Sequence, residues 1–247
     1  MKTFESRAAP RLFVPADLSL GAEIRLTDRA AHHLTVLRLG RSDAVTLFNG
    51  QGGEFAAELT RVSSKDARAR VLSKVILERE SPLSISLAQC VSSGDRMDIT
   101  LQKSTELGVS RIVPIASERS VVRLSGDRAE KRVAHWRNVV VAACEQCGRN
   151  RIPEIAPITD IADFLAGAGG NALRILLAPD AEATLKPMAP PTEVMLLVGP
   201  EGGLTARERE DADRAGFAPI RFGPRVLRTE TAPLAVIAAM QSLWGDC

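Results

Sequence analysis

After Ser81-Pro82 the chain alternates short apolar runs with longer amphipathic stretches. No other feature restricts the fold as much. Strands separated by helices are joined most simply as a largely parallel sheet with helices packed on its faces. Ser84–Cys90, Arg111–Ile115, Leu173–Ala178, Glu193–Val198 and Ala218–Phe222 read as the strands. The third and fourth are apolar enough to be buried on both faces. Helices are expected over Arg96–Leu107, ended by Gly108, and over Asp127–Cys147, ended by Gly148. Thr205–Ala215 opens with a capping box, Thr205 with Glu208, and Ala232–Trp244 forms a last apolar helix.

The first eighty residues read differently. Ala44–Phe48, Gly53–Leu59 and Ala69–Leu77 look like strands, and Asn49-Gly50-Gln51-Gly52-Gly53 supplies a hairpin turn that tolerates positive φ. One short helix, Asp28–Leu37, is capped by Thr27. Residues 1–78 therefore form a β-rich domain and 79–247 an α/β domain. A length of 247 residues suits two domains, and 45% hydrophobic with 25% charged residues excludes wholesale disorder.

Charge is uneven. Residues 1–80 carry a net +3 and residues 96–151 a net +5, whereas residues 152–247 carry −5. The two basic regions suggest either a polyanionic partner or solvated helix faces. No apolar run approaches the roughly 20 residues that span a bilayer, and Met1–Pro10 lacks the apolar core of a signal peptide. Cys90, Cys144, Cys147 and Cys247 are too few for a disulfide framework, so a cytoplasmic protein with reduced thiols is expected. Cys144 and Cys147 have zinc or redox spacing but sit late in a helix without a second such pair. His32, His33 and His135 make no ligand set, so no metal is expected. Trp136 and Trp244 read as core or dimer contacts.

Two loops carry the chemistry. Val198-Gly199-Pro200-Glu201-Gly202-Gly203 follows an apolar strand and precedes a capped helix, the place where α/β sheets bind ligands. It has neither the dinucleotide nor the P-loop glycine spacing. Phe222-Gly223-Pro224-Arg225-Val226-Leu227-Arg228-Thr229-Glu230-Thr231-Ala232 joins the last strand to the last helix. Thr229 or Thr231 is expected to cap that helix. A cap does not explain two arginines beside a Gly-Pro turn, which suit a small ligand and a phosphate-bearing partner.

The pair GPEGG and FGPRVLRTETA resembles the SPOUT methyltransferases, and within them the 16S ribosomal RNA uridine-N3 methyltransferase family. Arg11-Leu12-Phe13-Val14, His32-His33-Leu34, Gln102-Lys103-Ser104-Thr105-Glu106-Leu107-Gly108-Val109, Ser117-Glu118-Arg119-Ser120 and Glu145-Gln146-Cys147-Gly148-Arg149 add to the resemblance in order along the chain. Pro233 departs from the family pattern at a position in the first helical turn, where proline is tolerated.

The resemblance implies an N-terminal PUA-like β-barrel, an α/β domain with a C-terminal trefoil knot, S-adenosylmethionine as cofactor, and a homodimer acting on 16S ribosomal RNA, free or within the assembled small subunit. It places the cofactor against Leu197, Val198, Gly199, Gly202 and Gly203 of the first loop. Gly223, Leu227, Arg228, Thr231 and Ala232 of the second loop would close the pocket, with Ala178 and Pro179 as a third wall. Arg228 is expected to stabilise the developing uracil anion, and Glu201 to orient the substrate or remove its proton. Arg11, Arg38, Lys103, Arg119, Arg123 and Arg149 are the expected RNA contacts. Two alternatives stand beside this reading. One is a related knotted RNA methyltransferase acting on another base or a ribose; the other is a catalytically silent RNA-binding assembly factor.

Overall fold

The computed structural model describes residues 9–63, 65–120, 125–185 and 188–247. These form two compact units, residues up to Glu80 with Cys144–Ile152, and Ser81–Ala143 with Pro153–Cys247.

The first unit holds β1 (Arg11–Phe13), β2 (Glu23–Arg25), α1 (Asp28–Val36), β3 (Ala44–Phe48), β4 (Glu54–Arg61) and β5 (Arg68–Val75). The strands form one sheet in the order β1-β3-β4-β5-β2, antiparallel except for the β1–β3 pair. Two register shifts in the β4–β5 ladder bend it, as extra residues in one strand do. Alternation along β4 turns Phe55, Ala57 and Leu59 inward, where they pack with Leu12, Leu34, Leu47 and Val71. Thr27 caps α1 through the Ala30 amide, as its position before the apolar stripe predicts. β1 and β2 are too short to stand out by pattern, and they occupy the two edges of the sheet.

Cys144–Ile152 belongs to this unit by packing, although it follows the α/β pattern in sequence. Arg149 is 4% exposed and bonds Glu80, Asn150 donates to the Leu77 carbonyl, and Arg79 donates to the Gly148 carbonyl. Arg11 bonds Glu54 and the Asn150 side chain. No contiguous division of the chain expresses this arrangement.

In the second unit, β6 (Ser84–Cys90) leads to α2 (Arg96–Glu106), β7 (Arg111–Ala116) and α3 (Asp127–Cys147), whose end enters the first unit. β8 (Glu154–Ile155), β9 (Thr159–Asp160) and α4 (Ile161–Ala166) follow, short elements without a readable period. Then come β10 (Leu173–Leu177), β11 (Glu193–Val198), α5 (Ala206–Arg214), β12 (Ala218–Ile220) and α6 (Thr231–Trp244). The sheet order is β12-β10-β11-β6-β7-β8, with β9 also on β7, and every pair is parallel.

The register aligns Ile220, Leu177, Val198 and Gln89 across four neighbouring strands, so their following loops emerge along one edge of the sheet. From β6 the chain builds outward through β7 and β8, then crosses to build β10 to β12 on the other side. The β6–β11 boundary is therefore a topological switch point, where loops diverge and leave a crevice.

The chain next returns from β12 at the sheet edge to the β6–β11 boundary, where Thr229 bonds both Gly199 and Gln89. α6 then packs on α2. Gln241 of α6 is 1% exposed, donates to the Leu107 carbonyl at 2.8 Å and accepts from the Ser81 hydroxyl at 2.7 Å. Gly108 ends α2 at φ +87, and a Cβ there would stand 2.6 Å from the Gln241 amide, so the position needs glycine for both its turn and its neighbour.

Candidate active site

A cavity of about 520 Å3 opens over the carboxyl ends of β10, β11 and β12. That volume lies within the roughly 300–1,000 Å3 typical of small-molecule sites. Its floor is apolar, from Leu177, Val198 and Ile220, and its rim is formed by the two loops singled out in the sequence.

The first loop is shaped by its glycines. Gly203 has φ +67 and its amide closes a turn on the Pro200 carbonyl at 2.8 Å. The capping box of α5 is complete: Thr205 accepts from the Glu208 amide, and Glu208 accepts from the Thr205 amide at 2.7 Å. The second carboxylate oxygen of Glu208 also accepts from the Glu118 amide at 2.8 Å, which ties this helix start to the segment after β7.

Glu201 anchors the loop sideways. Its Oε1 accepts from the Ser93 amide at 3.1 Å, the Ser93 hydroxyl at 3.1 Å and Arg96 at 2.8 Å. Burial opposes ionisation of this carboxyl, but backbone amides, Arg96 and Ser93 outweigh it and hold the carboxyl below its ordinary value. A carboxylate so stabilised is a weak proton acceptor, and of the two roles expected for Glu201 the geometry fits orientation.

This tether has a defined pH signature. A depressed carboxyl contributes its full stabilisation above its unfolded value of 4.5, and loses it as pH falls through the lower folded value. Urea unfolding of wild type and Glu201→Gln is expected to show a stability gap at pH 7 that narrows below pH 4.5. A gap independent of pH would count against the tether.

The second loop is held by Thr229, which is 8% exposed. Its hydroxyl donates to the Gly199 carbonyl at 2.9 Å and accepts from Gln89 Nε2 at 3.1 Å. Gln89 Nε2 also donates to the Cys90 carbonyl at 3.0 Å, and that pair of partners fixes which end of the side-chain amide faces Thr229. Thr229 is therefore a clamp between the loops. This corrects the expectation that Thr229 or Thr231 caps α6: the helix has no side-chain cap, and the Thr231 and Ala232 amides bond the Arg228 carbonyl instead.

Of the expected cofactor residues, Ala178, Pro179, Val198, Gly199, Gly203, Leu227, Arg228 and Ala232 line the cavity, as does Glu201. Leu197, Gly202, Gly223 and Thr231 stand outside its lining. Leu197 is wholly buried in the core, and Gly202 lies against Arg119. Arg96, Glu230 and Arg209 line it without having been expected. Glu230 belongs to the second loop, whereas Arg96 and Arg209 come from separate helices, and nothing in local sequence marks these two arginines.

The expected RNA contacts divide. Arg38, Lys103 and Arg119 are exposed, although Lys103 pairs with Glu106 and Arg119 donates to the Gly202 carbonyl. Arg11 and Arg149 are tied into ion pairs within the first unit, with Glu54 and Glu80, and their side chains are 14% and 4% exposed. Arg123 lies outside the described residues. The spacing of Cys144 and Cys147 reflects packing: the Cys144 thiol is buried, which pushes its pKa up to about 12, and it meets the Arg151 carbonyl. Trp136 is 1% exposed, a core residue.

Fold and site together define an α/β protein that seats a small ligand among loops at the carboxyl end of a parallel sheet. A family model for the RNA methyltransferase domain matches residues 79–241, and one for the RNA methyltransferase PUA domain matches residues 26–72. The chain belongs to the ribosomal RNA small subunit methyltransferase E family. The Buchnera aphidicola (subsp. Schizaphis graminum) protein of that name is 36% identical, over 96% of this chain and 97% of its own length. The crystal structure of the Neisseria gonorrhoeae protein of that name, bound to S-adenosyl methionine, is 44% identical with TM-score 0.90, over 96% of this chain and 99% of that one. A Legionella pneumophila methyltransferase in complex with the bound cofactor SAM is 38% identical with TM-score 0.93, over 97% and 99% of the two chains.

Proposed function

We propose that the protein transfers the methyl group of S-adenosylmethionine to N3 of a uridine in 16S ribosomal RNA, acting in the cytoplasm as a homodimer. The observation that carries this reading is the meeting of the two loops at one cavity through the Thr229 hydroxyl. The residues there fit the cofactor. Backbone at Gly199 and Gly203 allows close approach, Leu177, Val198, Ile220 and Leu227 suit an adenine ring, and Ala178 with Pro179 supplies the third wall.

The cofactor supplies an activated methyl on a sulfonium, so the chain's own work is to position, desolvate and stabilise charge. Arg228 and Arg225 on the second loop favour the negative charge that builds on uracil as its N3 proton leaves. Glu201 keeps the first loop in place through Ser93 and Arg96. The PUA-type first unit and the exposed Arg38, Lys103 and Arg119 are assigned to holding RNA.

The deciding experiment incubates the protein and S-adenosylmethionine with free 16S RNA and with assembled small subunits, followed by nucleoside mass spectrometry. N3-methyluridine is the expected product. Ribose methylation, or cofactor binding without transfer, would replace the reading.

A further inference from the structure

The proposed reaction needs an acceptor for the N3 proton, and Glu201 is already engaged by three donors on one oxygen. The cavity wall carries one other carboxylate. Glu230 follows the clamp residue Thr229 and immediately precedes α6. Its Oε2 is sealed from water and accepts no hydrogen bond among the described residues; Arg96 Nε stands 3.9 Å away, close enough to orient the carboxylate but too far to donate. The side chain keeps 17% of its surface exposed, and with Oε2 sealed, Oε1 is the oxygen free to face the cavity.

The surroundings suit the task. The other charged groups on the wall are Arg96, Glu201, Arg209, Arg221, Arg225 and Arg228. Arg209 is neutralised by Asp180, and Arg96 is shared between Glu201 and Glu230. Arg228, two residues from Glu230, remains with Arg225 and Arg221 to favour negative charge on a bound base.

Uracil presents an acceptor, a donor and an acceptor along O2, N3–H and O4. A carboxylate among arginines is the complement of that edge. Cytosine has no N3 proton and carries an amino group where uracil has O4, so it would leave the carboxylate and the cations mismatched.

We propose that Glu230 is the catalytic proton acceptor and reads the N3–H of the target uridine, a role that rests on the function proposed above. The N3 proton passes to Glu230 Oε1. The freed N3 electron pair forms the new bond to the methyl carbon, the carbon–sulfur bond breaks with its electrons going to sulfur, and a neutral thioether leaves. Glu230 then gives its proton to water.

The test is single-turnover methyl transfer to unmethylated small subunits by full-length wild type, Glu230→Gln and Glu230→Asp across a pH series, with S-adenosylmethionine affinity measured by calorimetry. Glu230→Gln is expected to bind S-adenosylmethionine within about twofold of wild type and to transfer roughly 100-fold more slowly at neutral pH, as loss of a positioned base predicts. Its rate should climb about tenfold per pH unit as uridine ionises in solution, closing the gap at high pH. Glu230→Asp should keep the wild-type pH profile at a lower rate.

A loss that is the same at every pH, a loss smaller than about tenfold, or a collapse of cofactor affinity would overturn the assignment. Wild-type transfer to an atom other than N3 would overturn the proposed function, and with it the proton Glu230 is assigned. That result is read from wild type alone, so the two failures are separable.

Discussion

Thr229→Val is expected to lower cofactor affinity at least about tenfold and thermal stability by about 5–10 °C. Valine preserves the shape of threonine but removes the hydroxyl, stranding the Gly199 carbonyl and one contact of Gln89 Nε2. Buried polar groups left without partners cost about 1–3 kcal/mol each. At roughly 2–4 °C per kcal/mol for a chain of this size, the thermal shift follows. The affinity loss has a separate origin: without the clamp the two loops are no longer held in the geometry that lines the cavity, and ordering them falls to the ligand. Thr229→Ser should retain most of both properties, since its hydroxyl reaches the same partners. Calorimetric titration with S-adenosylmethionine and thermal melts check the pair. An unaltered Thr229→Val protein would show that the loops are held by other means.

Arg149→Met should destabilise the first unit by about 2–4 kcal/mol. Arg149 is almost wholly buried against Glu80, whose side chain is 22% exposed. Removing one member of a buried ion pair costs about 3–5 kcal/mol because the other charge is stranded, and the partial hydration open to Glu80 reduces that figure. Replacing both residues by methionine should recover much of the loss. Urea unfolding provides the measurement, and a change below about 1 kcal/mol would place Arg149 among ordinary surface positions. RNA affinity should follow the folded fraction and leave its salt dependence unchanged, in contrast to Arg38→Glu, where a phosphate contact is expected to be lost.

The elements with strong local signals were readable. β6, α3 and β11 have the bounds their patterns predict, and both Thr27 and Thr205 cap where expected. The two loops were visible because glycine, proline and arginine cluster there against an apolar background. β8, β9 and α4 were not, since segments of two to six residues contain too little period to read. The roles of Gln89, Arg96, Glu230 and Gln241 depend on strand order, which local pattern does not encode. The ion pairs of Arg11 with Glu54 and of Arg149 with Glu80 are hidden in the sequence for the same reason. A cation on a loop and a cation sealed against a carboxylate look identical until the partner, distant in sequence, is known.

The clamp and the seat of the last helix have a kinetic consequence. Thr229 meets Gln89 across 140 positions and Gln241 meets Ser81 across 160, so the loop that borders the cavity and the helix after it are fixed by contacts very remote in sequence. Closing such long loops is slow compared with forming hairpins and single helices. Refolding should therefore restore helical circular dichroism early and ligand recognition late, leaving an interval in which a nearly native protein cannot yet perform its task.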